Sequence, residues 1–181
     1  MVKRKRIISK IRDVKDFPKP GIGFKDITPI LEDSKTFRHT VLLMSSWVSE
    51  RRTEVVVGIE SRGFIFGAPI ALEVDAGFVP VRKQGKLPRE TIAVEAPNEY
   101  ALEYFEVHAE DIKPGQRVVI VDDLLATGGS LISAIGLVQK LGGEVVGVVV
   151  VVELCFLGGM AKIKAAYPDI EVFTLVQYDE E

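Results

Sequence analysis

Along the chain, short runs of β-branched residues alternate with longer stretches whose apolar residues recur at helical spacing. Val55–Gly58, Phe78–Val81, Arg117–Val121, Gly143–Val152 and Phe173–Val176 read as strands, the fourth being the strongest. Helical spacing predicts helices over Ser34–Arg51, Gly63–Val74, Gly129–Leu141 and Gly159–Ala166. In the first of these, Phe37, Val41, Leu42, Met44 and Val48 fall on or near one face. Ile7, Ile8, Ile11 and Val14 predict a short amphipathic helix at the start, and the prolines and glycines of Phe17–Gly23 predict a loop after it. Thr91–Val94 and Leu102–Val107 predict a small hairpin carrying a mobile loop. The apolar runs are continuous rather than alternating, as in strands buried on both faces of a parallel sheet. The expected class is therefore α/β: an open, mostly parallel sheet flanked by helices, with ligands bound beyond the carboxyl ends of the strands.

Composition narrows this picture. The 181 residues show no repeat, low-complexity tract or linker, which predicts a single domain over residues 1–181. Apolar residues make up 47% and charged residues 27%, a soluble globular mixture, and the net charge of −3 argues against a nucleic-acid binder. The basic cluster Lys3–Arg6 is followed by Ile7 and Ile8 and then at once by Ser9, Lys10 and Arg12, so it lacks the apolar core of a signal peptide. Val145–Val152 is too short to span a bilayer. A single cysteine excludes an intrachain disulfide and agrees with a cytoplasmic location. Cys155 reads as a small buried apolar residue at the end of the strongest strand, and Trp47 as core or interface. His39 and His108 lack metal-ligand spacing.

The chemistry concentrates after the third strand, in Val118-Val119-Ile120-Val121-Asp122-Asp123-Leu124-Leu125-Ala126-Thr127-Gly128-Gly129-Ser130. A buried strand is expected to end in two carboxylates, followed by a small polar loop and a helix. Gly128 and Gly129 let backbone N–H groups approach an anion, Thr127 and Ser130 add hydroxyl donors, and the helix start favours a phosphate. Asp122 and Asp123 repel that phosphate and suit hydroxyls or a Mg²⁺ ion instead. A phosphate beside a diol, as in ribose 5-phosphate, fits the layout. A helix cap and a turn would account for an isolated Thr-Gly-Gly, but not for the whole string.

This string resembles the phosphoribosyl-pyrophosphate (PRPP) motif of type I phosphoribosyltransferases. No Gly-Lys-Ser/Thr follows, so it is not a Walker A loop. Three further segments resemble the adenine branch of that family. Phe17–Thr28 is similar to its base-binding segment, Gly58–Gly67 to its pyrophosphate loop, and Val81–Pro88 with Glu99-Tyr100 to its basic segment and mobile-loop pair. The resemblance as a whole covers Val14 to Tyr178, with these motifs in the expected order. The resemblance implies that Asp122 and Asp123 bind the ribose hydroxyls and Ala126, Thr127, Gly128, Gly129 and Ser130 the 5-phosphate. It further implies that Glu60, Ser61, Arg62, Arg82, Lys83 and Lys86 bind pyrophosphate, and Gly23, Phe24, Lys25 and Leu124 the base. Glu99 is implied as general acid/base and Tyr100 as its loop neighbour. The implied cofactor is Mg²⁺, held mainly by PRPP, and the implied assembly is a homodimer.

The residue types suit these roles. Arg62 follows a strand end, where its forked donors can grip phosphate oxygens. Arg82, Lys83 and Lys86 place three cations on one short segment around Gly85, although solvated surface lysines would look the same. Phe24 can stack on a purine or pack in the core, and Glu99 can serve a proton or face solvent. Glu103 and Glu106 are expected to point outward. The sequence departs from the family at Lys25 (usually arginine), Asn98 (usually leucine), Ala101 (often glycine) and Ser130 (threonine). The expected reaction is adenine plus PRPP giving AMP plus pyrophosphate, in purine salvage. Alternatives are the same chemistry on hypoxanthine, guanine or xanthine, or a non-catalytic PRPP-sensing regulator, for which the residues before Phe17 are too few to form a DNA-binding module. No nucleic-acid or membrane partner is expected.

Overall fold

The structure, a computed structural model, describes residues 2–17, 19–21, 23–96 and 103–180. Helix α1 (Val2–Ile8) opens the chain and is shorter than its apolar pattern predicts. Ile7 is fully buried while Ile8 is largely exposed, so these isoleucines do not share one buried face. Lys10 and Ile11 close tight turns onto Ile7 and Ile8. Arg12–Val14 then forms β1 instead of continuing the helix, pairing antiparallel with β2 (Phe24–Asp26) with Val14 opposite Phe24. Next come α2 (Thr28–Glu32) and α3 (Ser34–Ser49). Asp33 caps α3 by accepting from the Thr36 backbone N–H at 2.7 Å, and it takes a forked pair from Arg6 of α1.

The remaining elements are β3 (Val55–Ile59), α4 (Arg62–Glu73), β4 (Gly77–Lys83), β5 (Thr91–Ala96), β6 (Glu103–His108), β7 (Arg117–Leu125), α5 (Gly129–Lys140), β8 (Glu144–Leu154), α6 (Gly159–Ala166) and β9 (Val172–Tyr178). Seven strands form one sheet in the order β5-β6-β4-β3-β7-β8-β9. The five from β4 to β9 in that order run parallel, and the β5–β6 hairpin adds antiparallel at the β4 edge.

Burial on both faces explains the continuous apolar runs. Val55, Val57, Val118, Ile120, Val148 and Val150 pack against α5 and α6 on one face. Val56, Val119, Val121, Val149 and Val151 pack against α1, α3 and α4 on the other. Each such side chain, fully buried, is worth about 1.5–3 kcal/mol. The strand order also fixes the site. From β3 the chain crosses through α4 to β4 on one side; from β7 it crosses through α5 to β8 on the other. The loops leaving β3 and β7 diverge to opposite faces and open a crevice between them, the switch point where ligands of such sheets bind.

Candidate active site

A cavity of about 370 Å³ occupies that crevice, lined by Glu60, Ser61, Arg62, Lys83 and the stretch Asp122–Leu131 apart from Leu125. Its floor is the acid pair. Strand β7 does not end before the acids, as its sequence suggests, but carries them inside it. The reason lies in the neighbours. β8 continues alongside to Leu154, keeping Asp122 and Leu124 in register with Val150 and Val152, whereas pairing with β3 stops at Val121. The acids therefore stand on an ordered strand just past the end of β3.

Asp122 is 8% exposed and Asp123 5%. Burial, and then the neighbouring Asp123 charge, push the Asp122 carboxyl well above the usual carboxylate range. One Asp122 oxygen accepts from the Asp123 backbone N–H at 2.9 Å. Asp123 accepts from Arg62 Nε at 2.5 Å. Gly63, the second residue of α4, makes this closeness attainable: a Cβ there would lie 2.7 Å from the Val121 carbonyl and 3.0 Å from Asp122 Oδ1. Arg62 stands out in the sequence; the part played by the glycine after it, which lets α4 come this close to the acids, shows only in the fold.

The loop Ala126–Ser130 turns at Gly128, whose φ of 85° lies in the left-handed region and which precedes the first turn of α5 with no side-chain cap. The first backbone N–H groups of α5 are thus offered to the cavity edge, where an anion is well placed. Gly159, the first residue of α6, supports this loop from behind. A Cβ on it would stand 2.2 Å from the Ala126 carbonyl and 2.9 Å from Gly128 N. The Gly158-Gly159 pair was visible in the sequence, but only the fold reveals what it touches.

The pyrophosphate-side candidates separate. Ser61 and Arg62 line the cavity at the start of α4, after a cis Glu60–Ser61 peptide. Glu60 also lines it, but its Oε2 accepts from Arg82 Nε at 3.1 Å and from the Lys83 backbone N–H at 2.9 Å, tying the end of β4 to the loop after β3. Of the three cations on the basic segment, Lys83 lines the cavity, with Nζ on Glu103 at 2.8 Å. Arg82 turns onto Glu60, and Lys86 meets the protein through its backbone.

A second cavity, of about 360 Å³, is lined by residues that include Val14, Gly21, Gly23, Phe24, Lys25, Leu154 and Phe156. Phe24 meets Phe17 edge-on at 5.1 Å, with the Arg62 guanidinium 5.6 Å from its ring centre, so it stands beside the acid-pair cavity as well. Leu124 lines the acid-pair cavity. The Lys25 side chain, 11% exposed, is engaged by Asp13 at 2.5 Å and lies over Tyr178. Glu99 and Tyr100 lie outside the described residues; the hairpin arms β5 and β6 on either side of them are described.

Three expectations need correction. Glu106 does not point outward: it is 3% exposed and accepts three hydrogen bonds. Glu103 is half-buried and held by Lys83. Cys155 is half-buried in a short 3-10 turn, Cys155–Leu157, rather than packed within the strand, and burial followed by the Glu153 charge pushes its thiol pKa up. Trp47 is half-buried and stacks on Phe173 at 5.4 Å. Among the described residues no three His, Cys, Asp or Glu side chains are grouped to hold a metal ion, and no helix is long and apolar enough to cross a membrane.

An acid pair and a glycine-turned helix start at the switch point of a parallel sheet give this α/β protein the groups that suit a sugar phosphate. The phosphoribosyl transferase domain family matches residues 34–180. The adenine phosphoribosyltransferase of Methanococcus vannielii is 47% identical over 171 residues, covering 94% of this chain and 96% of that protein. The crystal structure of adenine phosphoribosyltransferase from Thermoanaerobacter pseudethanolicus superposes with a TM-score of 0.91 at 43% identity, covering 97% of this chain and 99% of the other. That from Saccharomyces cerevisiae, complexed with an imino-altritol bisphosphate and adenine, gives 0.88 at 36% identity, covering 96% and 98%. The chain belongs to the phosphoribosyltransferase family and, within it, to the adenine phosphoribosyltransferases.

Proposed function

We propose that the residues around the switch point carry out the adenine phosphoribosyltransferase reaction, adenine plus PRPP giving AMP plus pyrophosphate, and that the buried acid pair beside the Gly128 turn is the feature on which it depends. In this reaction adenine N9 bonds to C1 of the ribose while the C1–oxygen bond breaks, its electron pair leaving with pyrophosphate. Asp122 and Asp123 accept from the ribose hydroxyls and hold C1 in register, an orientation effect. Backbone N–H groups from Ala126 to Ser130, with the Thr127 and Ser130 hydroxyls, hold the 5-phosphate. Arg62, released from Asp123 as the ribose hydroxyls arrive, and Lys83 stabilise the charge gathering on pyrophosphate, with Ser61 at the helix start. Glu60, Arg82 and Lys86 complete that side. Phe24 stacks on adenine beside Leu124, with the backbone of Gly23 and Lys25 at the base edge. Glu99 takes the N9 proton.

Mg²⁺ fits this site as an ion held mainly by PRPP oxygens, since the described residues offer an acid pair rather than a closed ligand set. When bound it neutralises pyrophosphate charge. The chain acts as one domain over residues 1–181, in the cytoplasm and as a homodimer. The presence of adenine in the yeast relative's complex supports the choice of base.

Incubating the purified protein with PRPP, Mg²⁺ and each purine base separately tests this. AMP from adenine alone is expected. IMP, GMP or XMP instead overturns the base and directs attention to Asn98 and Lys25. No nucleotide from any base overturns the enzyme in favour of a PRPP sensor.

A further inference from the structure

We propose that Glu106 is a positioning residue for pyrophosphate binding, fixing from inside the protein the turn that follows Lys83 and carries Lys86; this rests on the reading of that segment given above. Glu106 lies on β6, level with Arg82 of β4 on one side and Ala93 of β5 on the other. Its side chain is buried, yet among the described residues its hydrogen-bond partners include no cationic side chain. One carboxylate oxygen accepts from two consecutive backbone N–H groups, those of Lys86 and Leu87, at 3.0 Å each, and the other accepts from the Thr91 hydroxyl at 3.2 Å.

An acid buried only to fill space would be costly, and an apolar residue there would pack more cheaply. What the carboxylate supplies is a fixed acceptor for a turn that has few other holds. The turn passes through Gly85 at a φ of 83°, and Gln84 N bonded to the Tyr104 carbonyl is the last ladder contact before it. From the turn the connection runs on to the site. The Lys86 carbonyl accepts from Arg82, Arg82 and the Lys83 backbone N–H both bond to Glu60, and Glu60 immediately precedes Ser61 and Arg62. Glu106 touches no reacting group, and its effect passes through the placement of these cations.

Geometry and charge make opposite predictions here. In Glu106→Gln the amide oxygen can still accept from Lys86 and Leu87, while its NH2 donates to the Thr91 hydroxyl, so the reach is kept and the charge lost. Glu106→Asp keeps the charge and withdraws the acceptor by one methylene. Steady-state kinetics are measured in both directions, on adenine with PRPP and on AMP with pyrophosphate. Glu106→Gln is expected to stay within about twofold of the parent in every constant. Glu106→Asp is expected to raise KM for pyrophosphate and PRPP about tenfold, leaving KM for adenine and AMP unchanged. A parent-like Glu106→Asp overturns the proposal, as does a Glu106→Gln variant equally impaired, which would make the role electrostatic. A parallel loss toward adenine and AMP would make it general folding support and also overturns it. Lys83→Ala separates the two readings: if it raises KM for pyrophosphate and Glu106→Asp does not, only the role of Glu106 fails. If Lys83→Ala changes nothing, the basic segment does not bind pyrophosphate, and both fail.

Discussion

Asp122 shows most directly how stability and function oppose one another at a single residue. Its carboxyl is raised by burial and by Asp123, so between the ordinary value of 3.8 and its folded value the native state holds a proton that the unfolded chain has lost. Stability then falls as pH rises through that window. Asp122→Asn keeps an acceptor for the Asp123 N–H and removes the buried charge. It is expected to raise the Tm of the ligand-free protein at neutral pH by about 2–4 °C, with the gain vanishing as pH approaches 4. Activity should fall about a hundredfold because the ribose is held less firmly. A scan of Tm against pH checks the sign, since a gain growing toward acid would contradict the argument. Phe24 makes a narrower prediction. Phe24→Ala should raise KM for adenine by about tenfold or more, the scale of a lost aromatic stack, with KM for PRPP nearly unchanged.

At the scale of elements, two joints carry the argument. α6 starts against the back of the Ala126–Ser130 loop, so Gly159→Ala forces apart atoms that a Cβ would approach to 2.2 Å. The expected cost is about 1–3 kcal/mol of stability, together with a raised KM for PRPP, measured by thermal unfolding and kinetics on the same preparation. α1 is fastened to α3 through Asp33, whose carboxyl is lowered to about 2, chiefly by the backbone and hydroxyl of Thr36, with Arg6 adding to it. A lowered acid stabilises above 3.8 and loses that contribution as pH falls through 2. Asp33→Ala should therefore lower Tm at pH 7, with the difference closing toward pH 2. These elements differed in how plainly they could be read. The long strands and helices were legible because burial on two faces leaves an uninterrupted apolar run. β1 and β2 were not, because each is three residues long and no period can be seen over so short a span. Glu106 is not legible because an acid between two apolar residues, Phe105 and Val107, reads as the outward-facing position of an alternating strand. Two of its partners are backbone N–H groups some twenty residues away, which no side-chain pattern records.

For the whole molecule, the order β5-β6-β4-β3-β7-β8-β9 explains why residues 61 positions apart, Arg62 and Asp123, meet across the central strands. The acid pair and its loop were legible because they are contiguous; the cation-to-acid pairings were not, because topology chooses them. The same order leaves α4 on the outer layer. There it exposes Leu72 at 85% and Ile65 at 38%, seven positions apart and so on one side of the helix. Single exposed apolar residues are ordinary on a protein surface, but a pair on one helical face suits a second copy of the chain. If the protein forms the proposed homodimer and does so through this face, Leu72→Glu places a charge in the contact and should convert the sedimenting species from dimer to monomer at micromolar concentration. The Tm of the monomer should then depend less on protein concentration than the parent's, because dissociation no longer contributes to unfolding. A Leu72→Glu protein that still sediments as a dimer would place the contact on another face of the sheet's outer layers.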